Sequence, residues 1–220
     1  MKKALKYNGL SIVMFGLFAV FFVGMTAAGV RQYNQEQTDH GQEAVSFVKY
    51  LQTGAFVEAT FENWESEFLQ MGGFVLLTVW LRQKGSPESK PLEGEQPEDE
   101  DPRTSDREDA PWAARMGGVP TWLYERSLSL ALFGLFFVSF ALHAAGGAKE
   151  YSAEQLAHGG HAVGTLGYLA TSQFWFESFQ NWQSEFLSVG VLVVLSVYLR
   201  QKGSPESKPV AAAHAETGTE

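Results

Sequence analysis

Apolar positions gather in four blocks along the chain. Leu10 to Val30 and Ser127 to Ala148 run for 21 and 22 residues without an acidic or basic side chain. Either is long enough to cross a hydrocarbon core of about 30 Å as an α-helix. Phe68 to Leu81 and Phe186 to Leu199 hold 14 residues each, a length that alone suits a buried helix equally well. Gly85 and Gly203, with prolines just beyond, are stop signals. The spacing therefore predicts long helices over 56–83 and 174–201.

The blocks come in pairs. Phe15-Gly16-Leu17-Phe18 recurs as Phe133-Gly134-Leu135-Phe136, and Asn63-Trp64 as Asn181-Trp182, at a constant offset of 118 residues. Residues 10–91 and 128–209 pair without a gap and share 43 of 82 positions. This is a tandem duplication whose unit is far longer than a solenoid repeat. It also bears on the N-terminus, where Lys2, Lys3 and Lys6 precede an apolar stretch in the manner of a signal peptide. The equivalent stretch lies mid-chain, so both read as spans. Four spans are predicted, at about 9–30, 61–83, 127–148 and 179–201. The fold class is all-α: an integral membrane protein of four transmembrane helices from two parallel tandem repeats.

Charge sets the expected topology. Lys2, Lys3 and Lys6 precede the first span, Arg82, Lys84 and Lys90 follow the second, Arg126 precedes the third, and Arg200, Lys202 and Lys208 follow the fourth. The positive-inside rule then puts both termini and the central linker in the cytoplasm, with segments 31–60 and 149–178 outside. Asn34-Gln35-Glu36-Gln37 and Ser152-Ala153-Glu154-Gln155 fit a capping box. Apolar residues at helical spacing follow the first, so outer amphipathic helices are predicted over about 35–52 and 153–170. The domain reading is a first membrane repeat over 1–91, an acidic disordered linker with an interfacial approach over 92–125, a second repeat over 126–209 and a disordered tail over 210–220. The linker carries nine acids between Glu93 and Asp109, too polar to offset its ordering entropy.

Composition narrows the chemistry. With 16 Lys+Arg against 25 Asp+Glu the formal net charge is −9, which argues against a nucleic-acid partner. No cysteine is present, excluding thiolate catalysis, disulfides and iron–sulfur ligation. There is no nucleophile–base constellation, phosphate loop or His-Glu-x-x-His motif, so an enzyme is the least supported class and no cofactor is expected. Glu67 and Glu185 lie 15 residues before Arg82 and Arg200, about 22 Å along a helix. Two readings stay open: a paired outer-leaflet polar site with Asn63 and Asn181 one turn earlier, or an interface that begins there with Trp64 and Trp182 as anchors. Glu36 with His40, and Glu154 with His158, share a helix face at i, i+4 and are weak candidate ion or proton ligands. His143 and His161 have no counterpart in the first copy.

One segment resists a packing explanation. All eleven residues from Leu81 to Pro91, Leu-Arg-Gln-Lys-Gly-Ser-Pro-Glu-Ser-Lys-Pro, recur from Leu199 to Pro209. Either the copies exchanged sequence recently, or Arg82, Lys84, Arg200 and Lys202 contact lipid headgroups or a partner twice. This block, with Asn-Trp-(Glu/Gln)-Ser-Glu-Phe-Leu at 63–69 and 181–187, resembles an uncharacterised family of small bacterial integral membrane proteins. The resemblance implies a bacterial inner-membrane location and no activity. The expectation is a non-enzymatic accessory or interaction protein of the envelope, partnered by the lipid bilayer and by a membrane protein or a second copy of itself. The alternative is a small solute or ion transporter with an outward-facing carboxylate site.

Overall fold

The computed structural model describes residues 2–94, 96–104 and 109–218. Glu95, Asp106 and Glu108 of the acidic linker, and the last two residues of the tail, lie outside the described residues. Those described form an all-helical chain: α1 (Lys2–Asp39), α2 (Phe47–Tyr50), α3 (Gly54–Leu77), α4 (Trp112–Arg115), α5 (Gly118–Glu125), α6 (Ser127–Ala157), α7 (Thr165–Tyr168) and α8 (Ser172–Tyr198), with a single 3-10 turn at Pro97–Asp99. Two compact units are distinguishable, Met1–Phe61 with Leu142–Thr171 and Glu62–Ala141 with Ser172–Glu220. Each draws on both sequence copies.

Among the described residues two helices are long and apolar enough to cross a membrane, Leu5–Asp39 and Ser127–Ala157. Leu10, Phe15, Val20 and Phe21 of α1 are exposed, as expected of side chains that face lipid rather than water. This patterning supports membrane association. The other two long helices, α3 and α8, are not in that set. Glu58, Glu62, Glu65 and Glu67 occupy the first half of α3, which closes at Leu77 instead of reaching residue 83. Its end tightens into three-residue turns, Val79 N–H to Leu76 O at 3.3 Å and Trp80 N–H to Leu77 O at 3.1 Å.

The predicted outer amphipathic helices over 35–52 and 153–170 do not form. Instead α1 continues through Asn34 to Asp39, and α6 through Ser152 to Ala157. Gly41 (φ 71°) and Gly159 (φ 76°) then end both helices in the left-handed region. Gly41 N–H bonds Thr38 O and Gln42 N–H bonds Gln37 O; Gly159 N–H bonds Leu156 O and Gly160 N–H bonds Gln155 O. These are paired Schellman closures, which a residue with a Cβ disfavours. Asn34 caps nothing. Its side chain accepts from Val45 N–H at 2.7 Å and donates to Val45 O at 3.0 Å. Ser152 treats Val163 the same way, at 3.0 and 2.9 Å. Each pins an extended segment against the last turns of its helix, leaving only the one-turn helices α2 and α7.

Within the first unit, glycines set the helix approach. A Cβ on Gly54 would fall 2.7 Å from Gly146 O, and one on Gly146 would fall 2.6 Å from Glu58 N. The start of α3 and the end of α6 therefore meet backbone to backbone, a packing that small residues permit. Tyr50 lies over Gly29 and Tyr168 over Gly147, and any Cβ there would enter the ring. Each of these tyrosines also packs on a second, Tyr33 with Tyr50 at 5.7 Å and Tyr151 with Tyr168 at 5.6 Å.

Candidate functional site

The glycine contact brings three ionisable or hydroxylic groups together in the first unit. Tyr168, fully buried, donates to Glu58 Oε1 at 3.0 Å. His143 is also without exposure, and its ring nitrogen lies within 4.8 Å of a Glu58 oxygen. Imidazole, carboxylate and phenol in this order can hold a proton in more than one position, and the first two are ligand types for a metal ion. Nearby Glu150 Oε2 accepts from Ala55 N–H at 3.1 Å at the start of α3. The absence of a counterpart to His143 in the first copy concealed this site. Its equivalent is Met25, and that of Glu58 is Phe176, so the pairing of a first-copy carboxylate with a second-copy imidazole has no symmetric counterpart.

The second unit holds its own carboxylates. Glu65 has 0% exposure, and its Oε1 accepts from Trp182 Nε1–H at 2.9 Å. Asn181 donates to Glu62 Oε1 and to Glu177 O. On α3, Glu58, Glu62 and Glu65 recur at i, i+4 and i+7, one face of the helix. The three donors named are neutral. They ease the cost of removing a carboxylate from water but supply no counter-charge.

The acids singled out from depth lie beside this face. Glu67 is exposed and Glu185 half-buried, close enough to repel one another electrostatically. Asn63 is exposed, whereas Asn181 turns to Glu62 rather than to either of that pair. Glu62 and Glu65 carried a signal in the sequence: their equivalents are Gln180 and Gln183, acid in one copy and amide in the other. His40 Nδ1 lies 2.8 Å from Glu36 O, and His158 Nδ1 2.9 Å from Glu154 O. The histidines thus meet the backbone of the closing turns, and Gln32 donates to the Glu36 carboxylate at 3.1 Å.

The duplicated eleven-residue segment has a packing reason after all. Both copies fold identically. Gln83 and Gln201 N–H bond Ser89 and Ser207 Oγ at 2.9 Å, and Glu88 and Glu206 N–H bond Ser86 and Ser204 Oγ. Gly85 and Gly203 both take φ 85°. Arg82 donates through Nη1 to Thr78 O and Val79 O in the turns just after α3, and Arg200 to Ser196 O and Val197 O at the end of α8, satisfying groups that a helix end leaves open. Lys84 and Lys202 are exposed. The two loops then diverge in use. Lys90 pairs with Asp99, while Lys208, 1% exposed, donates to the carbonyls of Ala213, His214 and Glu216. Residues 211–218 are thereby folded back, and Gly85 N–H reaches Thr217 Oγ1 at 2.8 Å.

The first loop also meets α8, where Ser86 Oγ lies 3.2 Å from Ser196 Oγ, and it meets the second loop at the equivalent residues Glu88 and Glu206. Burial, followed by the Glu206 charge and a hydrogen bond to Glu206, pushes the Glu88 carboxyl above its usual range. The fold therefore favours protonated Glu88. Its charged form is a penalty present at neutral pH, relieved as pH falls through the raised folded value and spent once pH is below the ordinary carboxylate range. Between pH 7 and pH 5 the melting temperature of the wild type should rise relative to Glu88→Gln, and parallel profiles would refute the pairing.

The geometry defines a helical, membrane-associating protein with carboxylates among its buried residues. A family model, Domain of unknown function (DUF6766), matches residues 1–219, and the chain belongs to that family. No curated protein and no solved structure matches it.

Proposed function

We propose that this chain is a four-span membrane protein that binds and passes protons or small cations by way of the carboxylates on α3. The observation that carries the reading is Glu65, with no exposed surface, held by a neutral indole N–H. Ionisable groups within spanning segments face a bundle interior or wet cavity and mark ion pathways by default. Glu62, which accepts from Asn181 in the same unit, is the further group such a pathway would use. α3 and α8 as the second and fourth spans, with both termini cytoplasmic, complete the proposed topology, and the bacterial inner membrane is the proposed location.

Liposomes containing the purified protein and a pH-sensitive dye test this directly. An imposed proton or sodium gradient should collapse faster than in empty liposomes. Glu65→Gln should slow that collapse at least about tenfold, and equal rates for the two proteins would sink the reading. The duplicated loop favours a second reading, an accessory or envelope component that uses Lys84 and Lys202 to contact anionic headgroups or a protein partner. A native complex containing a second protein, with no gradient collapse, would put that reading first.

A further inference from the structure

The duplication places two equivalent glycine-notched surfaces in the second unit, one filled and one open. Gly72 on α3 is buried, and a Cβ there would fall 3.4 Å from Leu132 Cβ and 3.3 Å from the Phe133 ring of α6. A Leu-Phe step of α6 thus fills this side of α3, at an approach that a small residue permits. The equivalent position on α8 is Gly190. It is exposed, and nothing lies within 4 Å of a Cβ there. Phe186, Leu187, Val191, Val194 and Leu195 surround it as an open apolar groove. One wall is held in place from within the unit, since the Phe186 ring lies 3.5 Å from a Cβ on Gly73. The groove therefore exists without an occupant.

The chain also carries the counterpart of what fills the notch at Gly72. Leu132-Phe133 corresponds to Met14-Phe15 on α1, where the phenylalanine opens the same Phe-Gly-Leu-Phe run. Leu132 is 8% exposed, whereas Met14 and Phe15 are 59% and 74% exposed. We infer that the Gly190 groove of α8 receives Met14 and Phe15 of α1 from a second copy of this chain, in a helix–helix contact that repeats the one at Gly72. Apolar exposure alone does not choose between lipid and protein, because acyl chains are as apolar as leucine. The filled twin does choose, since it shows which side chains a notch of this kind accepts. In the proposed topology α1 and α6 run outward and α3 and α8 inward. A second copy in the same membrane therefore offers α1 to α8 in the direction that α6 takes along α3. Each chain has one groove and one such face, and exchange between two chains satisfies both. The contact uses that topology but none of the buried acids, so ion flux and assembly can fail separately.

Disulfide trapping in membranes tests this, and the chain has no cysteine of its own to interfere. The 3.4 Å between Cβ positions at 72 and 132 is close to the ~3.5–4.5 Å that a disulfide spans. Met14→Cys and Gly190→Cys, placed in separately tagged chains and co-expressed, should oxidise to a product of twice the 24.3 kDa chain mass that carries both tags. Ile12 is exposed at nearly the same depth, but about 200° around α1 from Met14. Ile12→Cys with Gly190→Cys should therefore give at least about tenfold less product. Gly190→Leu, for which the structure has room, should convert a two-chain species in mild detergent into single chains and leave the circular dichroism unchanged. A single-chain wild type, a two-chain species that survives Gly190→Leu, or equal trapping by the two α1 cysteines, the result if lipid covers the groove, would each overturn the assignment. So would a disulfide closed within one chain when Met14→Cys and Gly190→Cys are combined, which would seat the chain's own α1 in the groove.

Discussion

Trp182→Phe should destabilise the protein by about 2 kcal/mol, the cost of taking a hydrogen bond from a buried acid. Phenylalanine keeps most of the ring and with it the edge contacts to Phe136 and Phe179, at 6.3 and 5.6 Å between centroids. What it removes is the N–H that lies 2.9 Å from Glu65 Oε1. With no exposed surface on Glu65, water cannot replace that donor without opening the helix contact. The cost should depend on the acid. In a Glu65→Leu background the same substitution should cost less than about 1 kcal/mol, because the acceptor of that bond is gone. Equilibrium unfolding of the four proteins in one detergent gives the coupling. Equal losses in both backgrounds would show that the indole matters only as a ring.

Gly147→Val should be as damaging in the first unit, at about 2–3 kcal/mol or failure to fold. A Cβ at this position would enter the Tyr168 ring and lie 2.7 Å from Glu58 Oε1. Neither neighbour can yield easily, since Tyr168 is fully buried and bonded to that same carboxylate. Gly134 on the same helix is the control. Nothing lies within 4 Å of its would-be Cβ, so Gly134→Ala should be neutral or mildly stabilising through helix propensity. Thermal unfolding of both variants checks the contrast. A Gly147→Val protein that melts with the wild type would mean the tyrosine is free to move aside.

These two sites show where reading the chain stops. Asn34 is an N-cap by local rule, and as a residue type it serves that role well. The same oxygen and amide suit an extended strand of backbone just as well, and Val45 supplies one eleven residues later. Glu65 and Glu67 are two positions apart and therefore some 200° apart around a helix. Depth along the axis ranks them alike, and only the packing of α3 decides that Glu65 goes inside. Copy symmetry, which pairs Tyr50 with Tyr168 and Gly41 with Gly159, hid His143 and Glu58 because each stands opposite an apolar residue.

The chain alone determined its all-helical class, its two long apolar helices and its internal repeat, since these depend on composition and spacing along the sequence. Tertiary structure decided which acids are buried, which donor each one meets, that the segments after α1 and α6 are pinned rather than helical, and that the repeated loop is folded. Those outcomes are set by contacts between residues as far as about 120 positions apart, such as Glu65 with Trp182. A side chain offers the same hydrogen-bonding groups to a near partner as to a distant one, and only the packed backbone selects between them.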